Sequence, residues 1–166
     1  MKTILNAAIT LFMGLFFFIS SAAQTRCDVK TNNRDDGTSI RYLRPDRIGY
    51  SDYLILALSL QTNGQSYYVA ALSVFQNESH RLIGSLILGF NNDNSCRLES
   101  YKSELTTYNG YPASITIFEA DEKDLKGINQ SNLKFAVVKL DNGVSQTITV
   151  KMNDSILRSH LKCLTQ

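Results

Sequence analysis

The sequence predicts a mainly β protein: an antiparallel β sandwich or partly open barrel with one short carboxy-terminal helix. Three observations carry that expectation. Asn63-Gly64 and Asn142-Gly143 each sit between apolar runs, and Asn-Gly is the preferred pair for a two-residue hairpin turn. Further short apolar stretches alternate with Asn-, Asp- and Gly-rich turns. The chain closes on Leu157, Leu161 and Leu164, whose spacing suits a helix and not a strand.

The first 23 residues stand apart from this pattern. A positive start at Lys2 leads into an apolar run from Ala7 to Ile19, then Ser20-Ser21-Ala22-Ala23-Gln24. The run is shorter than the roughly 20 residues a membrane span needs. Small residues at Ser21 and Ala23 form the pattern a signal peptidase reads. Residues 1–23 are therefore expected to be a cleaved signal peptide, and residues 24–166 a single exported, secreted or periplasmic domain. No later segment of the mature chain is apolar enough to span a bilayer.

Among the strands, Asp28 to Arg34 and Thr38 to Leu43 flank Asp36-Gly37, a hairpin signal. The Asn63-Gly64 turn sets Leu60 against Tyr67, Leu58 against Val69 and Leu56 against Ala71 on one face. On the other it sets Ala57 against Ala70, Ile55 against Leu72 and Tyr53 against Val74. Both faces are apolar, as in a central hairpin covered on both sides. Leu82 to Phe90, Cys96 to Leu105 and Ala113 to Phe118 read as strands, and Asp121 to Leu125 as one helical turn. A two-residue turn at Asn142-Gly143 places Val138 opposite Thr147, with Val137, Phe135 and Leu133 meeting Ile148, Val150 and Met152. Asn153, Asp154 or Ser155 then caps the last helix.

Charge and cysteines narrow the function classes. The formal net charge is +2, from 17 basic and 15 acidic side chains. That balance gives no electrostatic case for nucleic acid. Arg41, Arg44 and Arg47 around Pro45 read as a solvated turn rim. The three cysteines meet an oxidising compartment after export. Cys27 and Cys163 lie near the two ends of the mature chain, and domain termini are often close together. A Cys27–Cys163 disulfide is the expectation. Cys96 alternates with Leu98, opposite the face of Arg97 and Glu99, and is expected to be a buried free thiol. The rival pairings would need Cys96 to face a chain end.

Catalytic chemistry finds little to work with. Of two histidines, His80 lies in the loop Asn77-Glu78-Ser79-His80-Arg81, where sequence neighbours do not converge on one reacting atom. His160 reads as a helix-surface residue beside a disulfide-bonded Cys163. Asn91-Asn92-Asp93-Asn94 lacks the alternating carboxylates and glycine of a calcium loop. Asp121, Glu122 and Asp124 suit a helix amino terminus. No catalytic residue, metal site or cofactor is expected. Tyr108 and Tyr111, in a loop around Asn109-Gly110, and Tyr50 and Tyr53 are the candidate binding surface, because tyrosine suits half-wet faces. Asn77, Asn129 and Asn153 begin glycosylation sequons.

The order of features resembles small secreted β-rich domains of unknown function common in Bacteroidetes bacteria. Those features are a cysteine soon after the signal peptide, Asp35-Asp36-Gly37, and the strand Leu82-Ile83-Gly84-Ser85-Leu86-Ile87-Leu88-Gly89-Phe90. They continue with Asp124-Leu125 and Ile128 before Lys134-Phe135-Ala136-Val137-Val138, and end with Leu161-Lys162-Cys163-Leu164. The resemblance implies fold and compartment, and no catalytic residue. The expected function is a non-enzymatic extracytoplasmic domain binding an unknown protein or glycan. The alternative is a secreted hydrolase whose dispersed site sequence does not assemble.

Overall fold

The computed structural model describes residues 27–33, 35, 37–49, 53–61 and 66–166, with the side chain of Tyr53 excepted. β4 (Tyr53–Gln61) and β5 (Ser66–Val74) pair in the expected register: Leu58 faces Val69, Ala57 faces Ala70 and Ile55 faces Leu72. Their turn, residues 62–65, lies outside the described residues. The hairpin is central, as its two apolar faces require. β2 (Ser39–Tyr42) and the short β3 (Asp46–Arg47) flank β4, and β8 (Tyr111–Ala120) flanks β5. β1 (Lys30–Asn33) pairs with β2 at one edge of the described sheet.

The remaining strands are β6 (Leu82–Phe90), β7 (Ser95–Tyr108), β9 (Leu133–Leu140) and β10 (Ser145–Thr149). The order β1-β2-β4-β5-β8-β7-β6-β9-β10 is antiparallel throughout and does not close on itself. β7 divides it into two layers. Its first half pairs with β6 up to Glu99, and its second half pairs with β8 from Ser100 onward. The register slips at that crossing, leaving Tyr101 as the extra residue of a bulge. Bulges of this kind bend a strand from one sheet into the next.

The core lies between the layers. Leu54, Leu56, Leu58, Val69, Ala71 and Phe118 come from one sheet, and Leu86, Leu88, Leu98, Ala136, Val138 and Ile148 from the other, all buried. Ser114 and Thr116 also face inward, fully buried. Leu82 N–H donates to Ser114 Oγ at 3.3 Å, and the Thr116 hydroxyl has two acceptors in reach, Ser103 Oγ at 2.9 Å and the Leu82 carbonyl at 3.4 Å.

Three local expectations change. Asn142-Gly143 does not form a two-residue turn. Leu140 N–H donates to Val144 O, Gly143 N–H donates to Leu140 O, and Gly143 has φ +85°. This is the three-residue loop with a glycine bulge, and it moves the register by one, so Val138 faces Gln146 and Ala136 faces Ile148. Because side chains alternate, Ala136, Val138 and Leu140 become the buried set while Phe135 and Val137 turn outward.

Second, the single turn expected at Asp121 to Leu125 continues into helix α1 (Glu122–Gln130). A reciprocal capping box starts it: Asp121 Oδ1 accepts from Asp124 N–H at 2.8 Å, and Asp124 Oδ2 accepts from Asp121 N–H at 3.1 Å. The described residues therefore form two helices. Third, Tyr108 and Tyr111 are not loop residues. They face each other at the ends of β7 and β8 across the two-residue turn Asn109-Gly110, both with positive φ.

Helix α2 (Ile156–Leu164) buries Leu157, Leu161 and Leu164 against the core. Arg41 Nη1 donates to the Leu164 carbonyl at 3.2 Å, a cation at the negative end of the helix, so this arginine is not part of a solvated rim. Cys27 and Cys163 stand at disulfide distance with Cα atoms 5.4 Å apart. Among the described residues, no helix is long and apolar enough to cross a membrane.

Candidate functional site

The second apolar face of the β4–β5 hairpin forms the candidate site. With Leu54 to Leu60 turned into the core, the alternate residues Ile55, Ala57, Ser59 and Gln61 face outward, as do Tyr68, Ala70 and Leu72 of β5 and Ile115 and Ile117 of β8. Together with Ile40, Tyr42, Leu43, Pro45, Tyr101 and Lys102 they line a cavity of about 530 Å³, a size typical of small-molecule sites.

Register gives the cavity its shape. Ala57, Ala70, Ile117 and Lys102 are consecutive partners across β4, β5, β8 and β7. On one side runs the bulkier row Ile55, Leu72 and Ile115; on the other, Tyr42, Ser59 and Tyr68. Two alanines between larger neighbours make the centre of the floor low, so the cavity is a trough running across the strands. The β7 bulge sets Tyr101 at its rim, 70% exposed, with its ring centroid 5.8 Å from that of Tyr68.

Among the described residues, Lys102 is the one charged side chain lining the trough. It forms an ion pair with Glu104, two residues along the same face of β7, and this lysine holds the Glu104 carboxyl below its ordinary value. Among the described residues, no histidine, cysteine or carboxylate lines the trough. The described lining can cover an apolar surface and pair one charge.

Of the four tyrosines expected as a binding surface, Tyr108 and Tyr111 are not part of this lining. Tyr108 and Tyr111 lie on the same outward face by alternation, beyond the trough toward the tip of the β7–β8 hairpin, 38% and 57% exposed. Tyr50 and the side chain of Tyr53 lie outside the described residues. Tyr42, Tyr68 and Tyr101 were not singled out from sequence. The signal that could have found them was the second apolar face of the Asn63-Gly64 hairpin, read as an exposed surface instead of a covered one.

The histidines go elsewhere. His160 is not on the helix surface: it is 4% exposed, and its Nδ1 accepts a hydrogen bond from Leu58 N–H at 3.2 Å. Its ring borders a smaller cavity of about 300 Å³ that also holds Asp28, Arg44, Asp46 and Ser159. Burial lowers its pKa, and Asp46 partly opposes that shift. With Nδ1 engaged as acceptor, the neutral ring carries its proton on Nε2 and has no basic nitrogen free for the cavity. His80 joins two loops: Nδ1 lies 3.2 Å from Asp141 Oδ1 and Nε2 3.4 Å from Asn142 Nδ2. Both ring nitrogens thus have partners other than Ser79.

Cys96 is free and half-buried, not fully buried. It packs at the core edge near helix α1, and its pKa is pushed up to about 12 by burial, with Asp124 and Asp121 adding to it. Asp93, in the Asn91 to Asn94 turn, pairs with Lys134 at 2.8 Å. Among the described residues, no cluster of His, Cys, Asp and Glu suits a metal ion. Comparison with known protein families, curated proteins and solved structures returns no match.

Proposed function

We propose that this chain is an exported, non-enzymatic binding domain whose ligand sits in the trough on the outer face of β2, β4, β5, β8 and β7. The observation that carries this reading is the apolar second face of a central hairpin, left half-open over about 530 Å³. A sheet face meeting only water is mostly polar, so its strands alternate polar with apolar; β4 and β5 carry apolar residues on both faces instead. Export is supported by the amino-terminal pattern ending at Ala23 and by the Cys27–Cys163 pair, since disulfides persist in oxidising compartments. A glycan, one of the ligands expected from exposed tyrosines, suits the trough poorly. Its hydroxyls would be buried against Ala57, Ala70, Leu72 and Ile117 without partners.

The hydrolase alternative loses support from the partners of both imidazoles. His160 Nδ1 is held by Leu58 and His80 is held between Asp141 and Asn142, so neither stands as a free base beside a nucleophile.

The test uses the mature chain and 1-anilinonaphthalene-8-sulfonate, a dye that fluoresces on apolar surfaces. The folded protein should enhance its emission, and Ala70→Trp, which fills the trough floor, should abolish the enhancement without lowering the melting temperature. An equal response from wild type and A70W would overturn the reading.

A further inference from the structure

Building on that binding reading, we propose that the trough holds one extended acyl chain, laid across the strands, with its anionic end at Lys102. The row Ala57, Ala70, Ile117, Lys102 crosses three strand spacings, about 14 Å; its floor is low at the two alanines and rises at Ile117 before Lys102. Ile55 and Leu72 flank the alanines on one side, and Tyr42 and Tyr68 stand on the other.

A ligand in such a slot must be narrow, long and free of polar groups along its length. A peptide fails the last condition. Its N–H and carbonyl groups need partners that an apolar sheet face does not supply, and a peptide strand would instead pair at a sheet edge. A polymethylene chain meets all three conditions.

Charge gives the direction. Among the described residues, Lys102 is the one ionised group on the lining, and it stands at one end of the row. Its present partner, Glu104, is more than half exposed, and exposed ion pairs contribute little. A ligand carboxylate therefore exchanges with Glu104 at small cost.

The test is titration of the mature chain with cis-parinaric acid, a fatty acid that fluoresces when bound, followed by displacement with palmitate, methyl palmitate or an alternating Val/Thr hexapeptide. Saturable binding displaced by palmitate is expected. Lys102→Met should weaken binding of the acid about threefold while leaving displacement by the methyl ester unchanged. Glu104→Gln, which frees Lys102, should tighten acid binding severalfold. Equal affinity for acid and ester in wild type and K102M would overturn the proposal, as would displacement by the peptide alone. If parinaric acid fails to bind while the dye still responds and A70W abolishes its response, the acyl-chain proposal falls and the binding reading stands. If A70W changes neither probe, both fall.

Discussion

The imidazole of His160 completes a gap in the backbone ladder of β4 by accepting the N–H of Leu58 at 3.2 Å. β2 reaches β4 only as far as Ser59, and β3 pairs only with Leu56 and Ile55. Leu58 therefore has no strand partner on that side. A buried N–H without an acceptor costs about 1–3 kcal/mol, and a histidine on α2 meets the need.

This arrangement makes stability depend on pH. The folded-state pKa of His160 is lowered, with burial the leading cause. The unfolded chain thus takes up the proton first, and unfolding becomes easier as pH falls below about 6.5. The loss continues down to the depressed folded-state value, with a slope of at most about 1.4 kcal/mol per pH unit for one proton. Urea midpoints measured from pH 7.5 to 4.5 should show it, and His160→Leu should remove this component while lowering stability by about 1–3 kcal/mol at neutral pH. An unchanged pH profile in H160L would count against the assignment.

Cys27 and Cys163 are separated by 136 residues in sequence. Closing so long a loop restricts the unfolded chain by about 5 kcal/mol in the chain-entropy model. Cys27→Ser and Cys163→Ser should each lower the melting temperature substantially, whereas Cys96→Ser should have a much smaller effect. Peptide mapping without reduction should recover the Cys27–Cys163 link; a linked peptide containing Cys96 would refute it.

The Cys96 thiol should be inert in the native protein. Its pKa of about 12 leaves almost no thiolate at neutral pH, and the thiolate is the reactive form. Iodoacetamide at pH 7.5 should spare Cys96 until denaturant is added. Rapid labelling of the folded protein would contradict the placement.

Gly89 lies opposite Phe135 in the β6–β9 pair, and the phenyl ring covers the space a Cβ would need. Gly89→Ala should destabilise by about 1–3 kcal/mol through overpacking. Adding Phe135→Ala should make the Gly89 substitution nearly silent, a coupling a double-mutant cycle reads directly. Additive effects would show that the ring is not the obstacle.

The exported protein should begin at Gln24. Intact-mass measurement on material from the native host checks this, and a product retaining Met1 would be incompatible with a cleaved signal peptide.

Much of the fold was legible because its signals are local. Asn63-Gly64 and the alternation around it placed six cross-strand pairs of β4 and β5 correctly, since turn chemistry and period-two burial act between neighbours in sequence. Leu82 to Phe90 was legible as a strand for the same reason. The Asn142-Gly143 hairpin shows the limit: two loop lengths suit the same dipeptide, and only the packing of Ala136, Val138 and Ile148 against the core selects the longer one. Asp121 likewise marked a helix start, but the helix length depends on Ile128 finding a buried place.

By itself the sequence determined strand content, the central hairpin, the closing helix and the presence of two apolar faces on β4 and β5. Tertiary structure alone decided which of those faces became core and which became a trough. That choice rests on the bulge at Tyr101, where β7 leaves one sheet for the other, and on helix α2 docking His160 against Leu58. Both join residues far apart in the chain, and neither periodicity nor turn chemistry acts over such distances.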